Sequence, residues 1–166
     1  MIHGANLSVA FIDRNAFDCG VPALNEYLKQ YALQNQKKHA ARTYVATRGN
    51  RTVGYYSLAY GSVSVKEVPQ SVKSGLSRHP IPVILLARLA VDLSEQGHGL
   101  GAAMLLKDAL LRTIQAAEIA GLRAMLVHAK DDAAMSFYEK FGFEASSIDT
   151  YHLFLRVSDI LGSLKV

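Results

Sequence analysis

Apolar and polar positions change period several times along the chain, and each change marks an element. Leu7–Ile12 reads as a short strand. Pro22 stands where a helix can begin, at a first-turn position that needs no N–H. Leu24, Tyr27, Leu28, Tyr31 and Ala32 then follow at helical spacing. Two β-rich runs come next, Thr43–Thr47 and Thr52–Val65, joined by Arg48-Gly49-Asn50-Arg51, where Gly49-Asn50 suits a hairpin turn. Val68–Pro82 holds three prolines and reads as a loop with room for a short helix. Val83–Asp92 is almost continuously apolar, the pattern of a strand covered on both faces. Ala102–Ala120 predicts a long helix whose polar residues, Lys107, Asp108, Arg112, Gln115 and Glu118, form a narrow stripe. Gly121 suits its C-terminal cap. Met125–Ala129 reads as another buried strand, and Asp131 or Asp132 as the cap of a helix over Ala133–Phe141 that Gly142 ends. His152–Val157 reads as the last strand. The order β-α-β-β-β-α-β-α-β predicts a mixed α/β or α+β fold. No linker, repeat or low-complexity stretch divides the chain, so residues 1–166 are expected to form a single domain.

Composition narrows the class. The chain is 166 residues long, 50% hydrophobic and 19% charged, which fits a folded domain with a real core and not a disordered segment. No apolar run approaches the length of a membrane span, and the start, Met1-Ile2-His3-Gly4-Ala5-Asn6, lacks the pattern of a secretory signal. A single cysteine, Cys19, excludes an internal disulfide framework and is expected to pack as a small apolar residue. These features predict a cytoplasmic protein with no membrane partner. The net charge of +4 hides an asymmetry: residues 1–91 carry eleven Lys and Arg against four Asp and Glu, while residues 92–166 carry seven against ten. A basic half favours a polyanionic partner, which nucleic acid and CoA both satisfy.

The segment Gln96-Gly97-His98-Gly99-Leu100-Gly101 carries the chemistry. It lies between the apolar strand and the long helix. Glycines at alternate positions allow close backbone approach to a ligand. The helix that opens after them presents unpaired N–H groups and a positive dipole end, the arrangement that holds a phosphate or pyrophosphate. The spacing is G-x-G-x-G, not the G-x-G-x-x-G of a dinucleotide fold, and too little chain follows for a second mononucleotide-binding half. No Lys-Ser/Thr follows the glycines, which excludes a Walker loop. No metal is expected.

Gln96–Gly101 resembles the acyl-CoA motif Gln/Arg-x-x-Gly-x-Gly/Ala of the acetyl-CoA-dependent GNAT N-acetyltransferases. Phe137-Tyr138-Glu139-Lys140-Phe141-Gly142-Phe143 resembles that family's later helix and its aromatic-Gly-Phe turn. A narrower resemblance, to the GNAT toxins of type II toxin–antitoxin systems, rests on several segments. These are Phe17-Asp18-Cys19-Gly20, Leu24–Leu28, Arg42-Thr43-Tyr44-Val45, Gly54-Tyr55-Tyr56-Ser57-Leu58 and Pro80–Asp92. The resemblance implies a GNAT fold, a mixed central sheet whose fourth and fifth strands splay apart, flanked by helices. It implies acetyl-CoA as co-substrate, aminoacyl-tRNA as acceptor and arrested translation. It also implies a ribbon-helix-helix antitoxin that carries operator DNA, and a homodimer. Other acceptors, a small amine or a protein N-terminus, stay open, as does a catalytically silent acyl-CoA-binding subunit.

By the same resemblance the pyrophosphate sits on Gln96, Gly97, His98, Gly99, Leu100, Gly101 and the first helical turn at Ala102. The pantetheine arm pairs with the backbone of Leu89, Ala90 and Val91. Tyr138 is the expected catalytic side chain, a hydroxyl that donates to the sulfur as CoA thiolate departs. A backbone N–H near Val91 meets the oxyanion. Ser136 stands where many relatives carry an Asn that contacts the cofactor. No His or Glu stands out as a general base. An α-amino group, with a reference pKa near 7.7–8.0, needs less help than a lysine near 10.4. Lys29, Lys37, Lys38, Arg42, Arg78 and Arg88 are candidates for tRNA phosphate contacts. Arg88, inside an apolar strand, is expected to have an anionic or hydrogen-bonded partner.

Overall fold

The computed structural model describes residues 2–3, 12–76, 79–97 and 101–164. They fall into two compact units, Met1–Ala59 with Ala87–Ala109 and Tyr60–Leu86 with Leu110–Val166.

In the first unit, β1 (Ile2–His3) pairs antiparallel with β2 (Arg42–Arg48), Ile2 opposite Ala46. β2 pairs antiparallel with β3 (Arg51–Val63), from Arg42 opposite Leu58 to Arg48 opposite Arg51, with a register shift after Ala46. β4 (Ile81–Val91) lies next to β3. A helical run over residues 22–37 lies between β1 and β2 in the chain: α1 (Pro22–Glu26), a π turn (Tyr27–Tyr31) and α2 (Ala32–Lys37). Pro22 begins it as expected. The π turn is the surprise. The N–H of Ala32 bonds the carbonyl of Tyr27, five residues back, so one extra residue is wound into the helix. Tyr27, Leu28 and Ala32 therefore share the buried face, while Tyr31, expected on the apolar stripe, is 46% exposed. That face packs with Phe17, Cys19, Val45, Tyr55 and Ala90 into one core. Cys19 is buried there, as its packing role required.

The second unit holds α3 (Gln70–Lys73), the first half of β4, β5 (Ala124–His128) and α5 (Asp132–Glu139), then β6 (Glu144–Ala145), β7 (His152–Arg156) and α6 (Val157–Ser163). β4 and β5 run parallel, from Val83 opposite Ala124 to Leu86 opposite Val127. β5 and β7 run antiparallel, as do β7 and β6. Asp131 caps α5 by accepting from the N–H of Ala134 at 2.8 Å. Val68, Val72, Ile81, Val83, Ala124, Leu126 and Phe154 form this unit's apolar cluster. Arg123 fastens α3 to it, donating to the carbonyls of Val72 (2.9 Å) and Ser74 (3.0 Å).

The mixed sheet with helices bears out the α+β fold class. β1 and β6 are two residues long, too short for a periodicity to mark. The strand expected over Leu7–Ile12 lies outside the described residues except for Ile12, which is not in a strand. The long helix, α4 (Gly101–Ile119), begins one residue before the expected start.

α4 presses on β3 where β3 has no side chain. A Cβ on Gly54 would stand 3.1 Å from Leu105 Cδ1 and 3.4 Å from the carbonyl oxygen of Ala90. Gly54→Val is expected to lower stability by about 1–3 kcal/mol through overpacking, read as a lower urea midpoint at unchanged m-value.

Candidate active site

The end of β4 is organised by a buried carboxylate. Asp92 is 2% exposed. Its Oδ1 accepts from the N–H of Asp18 (2.9 Å), and its Oδ2 accepts from Ser94 N–H (3.0 Å), Ser94 Oγ (2.6 Å) and Arg51 Nη2 (3.0 Å). Burial alone would raise its pKa. The bonds from Ser94 and Asp18, with the charge of Arg51, outweigh that and hold it below the usual aspartate value. Asp92 thus ties the segment 18–20 and β3 to the turn that leaves β4. Gln96 adds a second tie, its Nε2 donating to the carbonyls of Val91 (2.7 Å) and Cys19 (3.0 Å). On the rim, Arg48 grips Glu95 through two bonds of 2.8 and 2.9 Å.

These ties hold the N-terminal end of the expected diphosphate loop at Gln96. Gly97 has a φ of +82° and open space where a Cβ would stand, so the backbone there is free for close approach. Gly101 is closed in: a Cβ would lie 3.0 Å from Val91 Cγ1, which seats the first turn of α4 against the end of β4. Ala102 follows in that turn. Leu89, Ala90 and Val91 form the last three residues of β4. His98, Gly99 and Leu100 lie outside the described residues. The described residues fit a diphosphate held by main-chain groups: Gly97 has open space at its Cβ position, and Gly101 opens a 19-residue helix.

Tyr138 lies in the last turn of α5, within the second unit. The N–H groups of Phe141 (2.9 Å) and Phe143 (3.4 Å) close on its carbonyl, making the turn after the helix. Its ring meets Phe137 and Phe143 edge-on at 5.2 and 5.4 Å. Burial among these rings pushes its pKa up to about 12, so the hydroxyl stays protonated at neutral pH. No hydrogen bond to this hydroxyl is seen among the described residues. Phe141 and Phe143 are buried in the core, and Phe137 is half-buried.

The basic candidates separate into two kinds. Lys29, Lys37, Lys38 and Arg42 are exposed, on the π turn, the end of α2 and the start of β2. Arg88 is half-buried, and its guanidinium carbon lies 3.6 Å from the centre of the Tyr27 ring. The partner expected for it was anionic or hydrogen-bonding. An aromatic face serves instead, because cation–π attraction compensates a partly desolvated guanidinium and leaves its N–H donors uncommitted. Tyr27 is held for that purpose by Ser57 (3.3 Å) and Asn35 (3.4 Å) at its hydroxyl. Arg78 lies outside the described residues.

Two groups escaped sequence reasoning. Asp92 looked like the end of an apolar strand, and nothing local reveals that it is the hub of the turn. His128 and His152 are 24 positions apart on β5 and β7, and only the antiparallel register makes them neighbours, with ring centres 4.0 Å apart.

The acetyltransferase (GNAT) domain family matches residues 39–145. The chain belongs to the GNAT acetyltransferase family. A tRNA-acetylating toxin of Mycobacterium tuberculosis (strain ATCC 25618 / H37Rv) is 48% identical to it, over 89% of this chain and 87% of that protein. Two solved structures of AtaT are similar throughout. One, complexed with acetyl-methionyl-tRNAfMet, has a TM-score of 0.85 and 27% identity over 97% of this chain and 96% of AtaT. The other, a Tyr-to-Phe mutant bound to acetyl-CoA and the C-terminus of the antitoxin AtaR, has a TM-score of 0.81 and 26% identity over 100% and 98%. The AtaT–AtaR complex has also been solved bound to DNA.

In this GNAT chain, Asp92→Ala is expected to cost about 2–3 kcal/mol at pH 7, because it strands the partners of a charged acceptor. The wild-type advantage is present above the unfolded aspartate pKa near 3.9 and is lost as pH falls through the lower folded value. Urea titrations of both proteins between pH 7 and pH 2.5 should therefore converge at the acid end.

Proposed function

We propose that this GNAT enzyme transfers the acetyl group of acetyl-CoA to the α-amino group of aminoacyl-tRNA and thereby halts translation. The observation that carries this reading is the near-full-length identity with the mycobacterial tRNA-acetylating toxin. The AtaT complexes supply the precedent for an acetylated aminoacyl-tRNA product, for acetyl-CoA and for an antitoxin that binds the toxin. We assign this chain the same kind of antitoxin, with DNA bound by the pair, and the cytoplasm, where charged tRNA is found. No helix among the described residues is long and apolar enough to cross a membrane.

The pyrophosphate of acetyl-CoA is assigned to Gln96–Ala102 and its pantetheine arm to Leu89–Val91. Amide N–H groups of the loop and the first turn of α4 hold the diphosphate without Lys or Arg. Tyr138, held protonated by its buried setting, donates to the sulfur as the thiolate leaves. Lys29, Lys37, Lys38, Arg42 and Arg88 are assigned to tRNA, with Arg88 the pre-oriented one because Tyr27 fixes its plane. Arg78 is assigned with them by its charge alone.

Tyr138→Phe is expected to keep wild-type affinity for acetyl-CoA and lose about 10²-fold or more in turnover. In a cell-free translation reaction supplied with acetyl-CoA, wild type should stop synthesis and Tyr138→Phe at equal concentration should not. Continued synthesis with soluble wild type overturns the reading. Replacing Lys37, Lys38 and Arg42 together by Ala should weaken tRNA binding and lower its log–log salt slope by about 2–3, measured by filter binding between 50 and 200 mM salt.

A further inference from the structure

The second unit carries a groove of about 270 Å³ on one face of its sheet. The register builds it in rows. Leu85 stands opposite Leu126, and Leu126 opposite Phe154, so three apolar side chains from β4, β5 and β7 make one row. Two positions further along β5 the next row is His128 opposite His152, rings stacked at 4.0 Å. Val83, Gly61 and Val63 extend the apolar floor. The His row also lies where the β4–β5 ladder runs out: its last pair is Leu86 with Val127, and His128 is the next residue.

The titratable groups that act on the His128 ring are His152 from β7, stacked on it, and Asp149 from the loop before β7 (3.4 Å from His152 Nε2). Tyr60 and Glu67, from and beyond the end of β3, line the same groove. From β4 the facing residues, Val83 and Leu85, are apolar. Glu67 in the groove lining and Asp149 beside His152 favour a cation, and the neighbouring imidazole favours the neutral form of His128. Burial first, then the charge of His152, lower its pKa below the usual histidine value, against the opposing pull of Asp149. The ring is covered only in part and keeps an exposed side, so a proton it takes passes to water. A groove of this size has room for one aminoacyl side chain.

We propose that this groove receives the aminoacyl end of the acceptor, with an apolar side chain on the Leu85–Leu126–Phe154 row and the α-amino group at His128, which accepts its proton. This inference rests on aminoacyl-tRNA being the acceptor. The acceptor enters as an ammonium with three protons. His128 takes one and releases it to solvent. The freed lone pair forms the N–C bond to the thioester carbonyl, and the C–S bond breaks with its electron pair on sulfur. The second proton, lost from the acetylated nitrogen, balances the thiolate as CoASH, and the third stays on the amide.

The test is the rate of labelled acetyl transfer to charged tRNA from pH 5.5 to 9, for wild type, His128→Gln and Leu85→Phe. Acetyl-CoA affinity serves as the check on folding. Wild type should show an acid limb with a midpoint below about 6.5, the ordinary histidine value. His128→Gln should lose that limb, fall at least tenfold at pH 7 and recover toward wild type at pH 9, where the amine is already neutral. Leu85→Phe, which narrows the groove, should raise KM for charged tRNA several-fold at unchanged kcat. Wild-type transfer together with unaltered profile and KM in the variants overturns the groove and leaves the acceptor reading standing. No transfer by wild type to any charged tRNA overturns both.

Discussion

The buried carboxylate of Asp92 is the constraint on which the first unit's chemistry depends. An ionised group that is 2% exposed persists only when its lone pairs are satisfied, and here four donors converge on it from three places in the sequence. Those donors pin the segment at Asp18, the start of β3 at Arg51 and the turn at Ser94 to a single point beyond β4. Gln96 then ties Cys19 and Val91 together one step further out. A glycine loop by itself is permissive. The residues on its N-terminal side are tied down, and Val91 packs against Gly101 on its C-terminal side, which supports the diphosphate role proposed for it.

Much of this was legible in the chain, and the reason differs by element. β4 and α4 are long and strongly patterned, so the run Val83–Asp92 and the stripe around Lys107 and Glu118 located them nearly to the residue. Asp131 announced α5 through its capping chemistry. Tyr31 was misread because helical spacing assumes 3.6 residues per turn, and the π turn breaks that phase. β1 and β6 are held by partner strands and carry no period of their own. At the site, the glycine spacing and the Tyr138 helix could be read locally. The Asp92 hub, the Arg88–Tyr27 stack and the His128–His152 pair are products of tertiary register, which a linear pattern does not contain.

The acceptor chemistry follows from matching protonation states. An α-amino group titrates close to neutrality, so a catalyst for it needs a weak proton acceptor and a group that steadies the leaving sulfur, with no strong base. Tyr138 is raised well above its usual pKa by the rings around it, while His128 is lowered. Two titratable groups in the same unit are thus displaced in opposite directions, which suits the donor and acceptor roles proposed for them. Arg88 follows related logic with a permanent charge: stacking on Tyr27 orients it without consuming its hydrogen bonds.

The most direct measurement is the identity of the acetylated product when the protein is incubated with labelled acetyl-CoA and total charged tRNA. Mass analysis of the acyl group released from the tRNA by mild base should find an N-acetyl amino acid that carries the label. Label that stays on the tRNA after deacylation, or that appears only on small amines or protein N-termini, would contradict aminoacyl-tRNA as the acceptor.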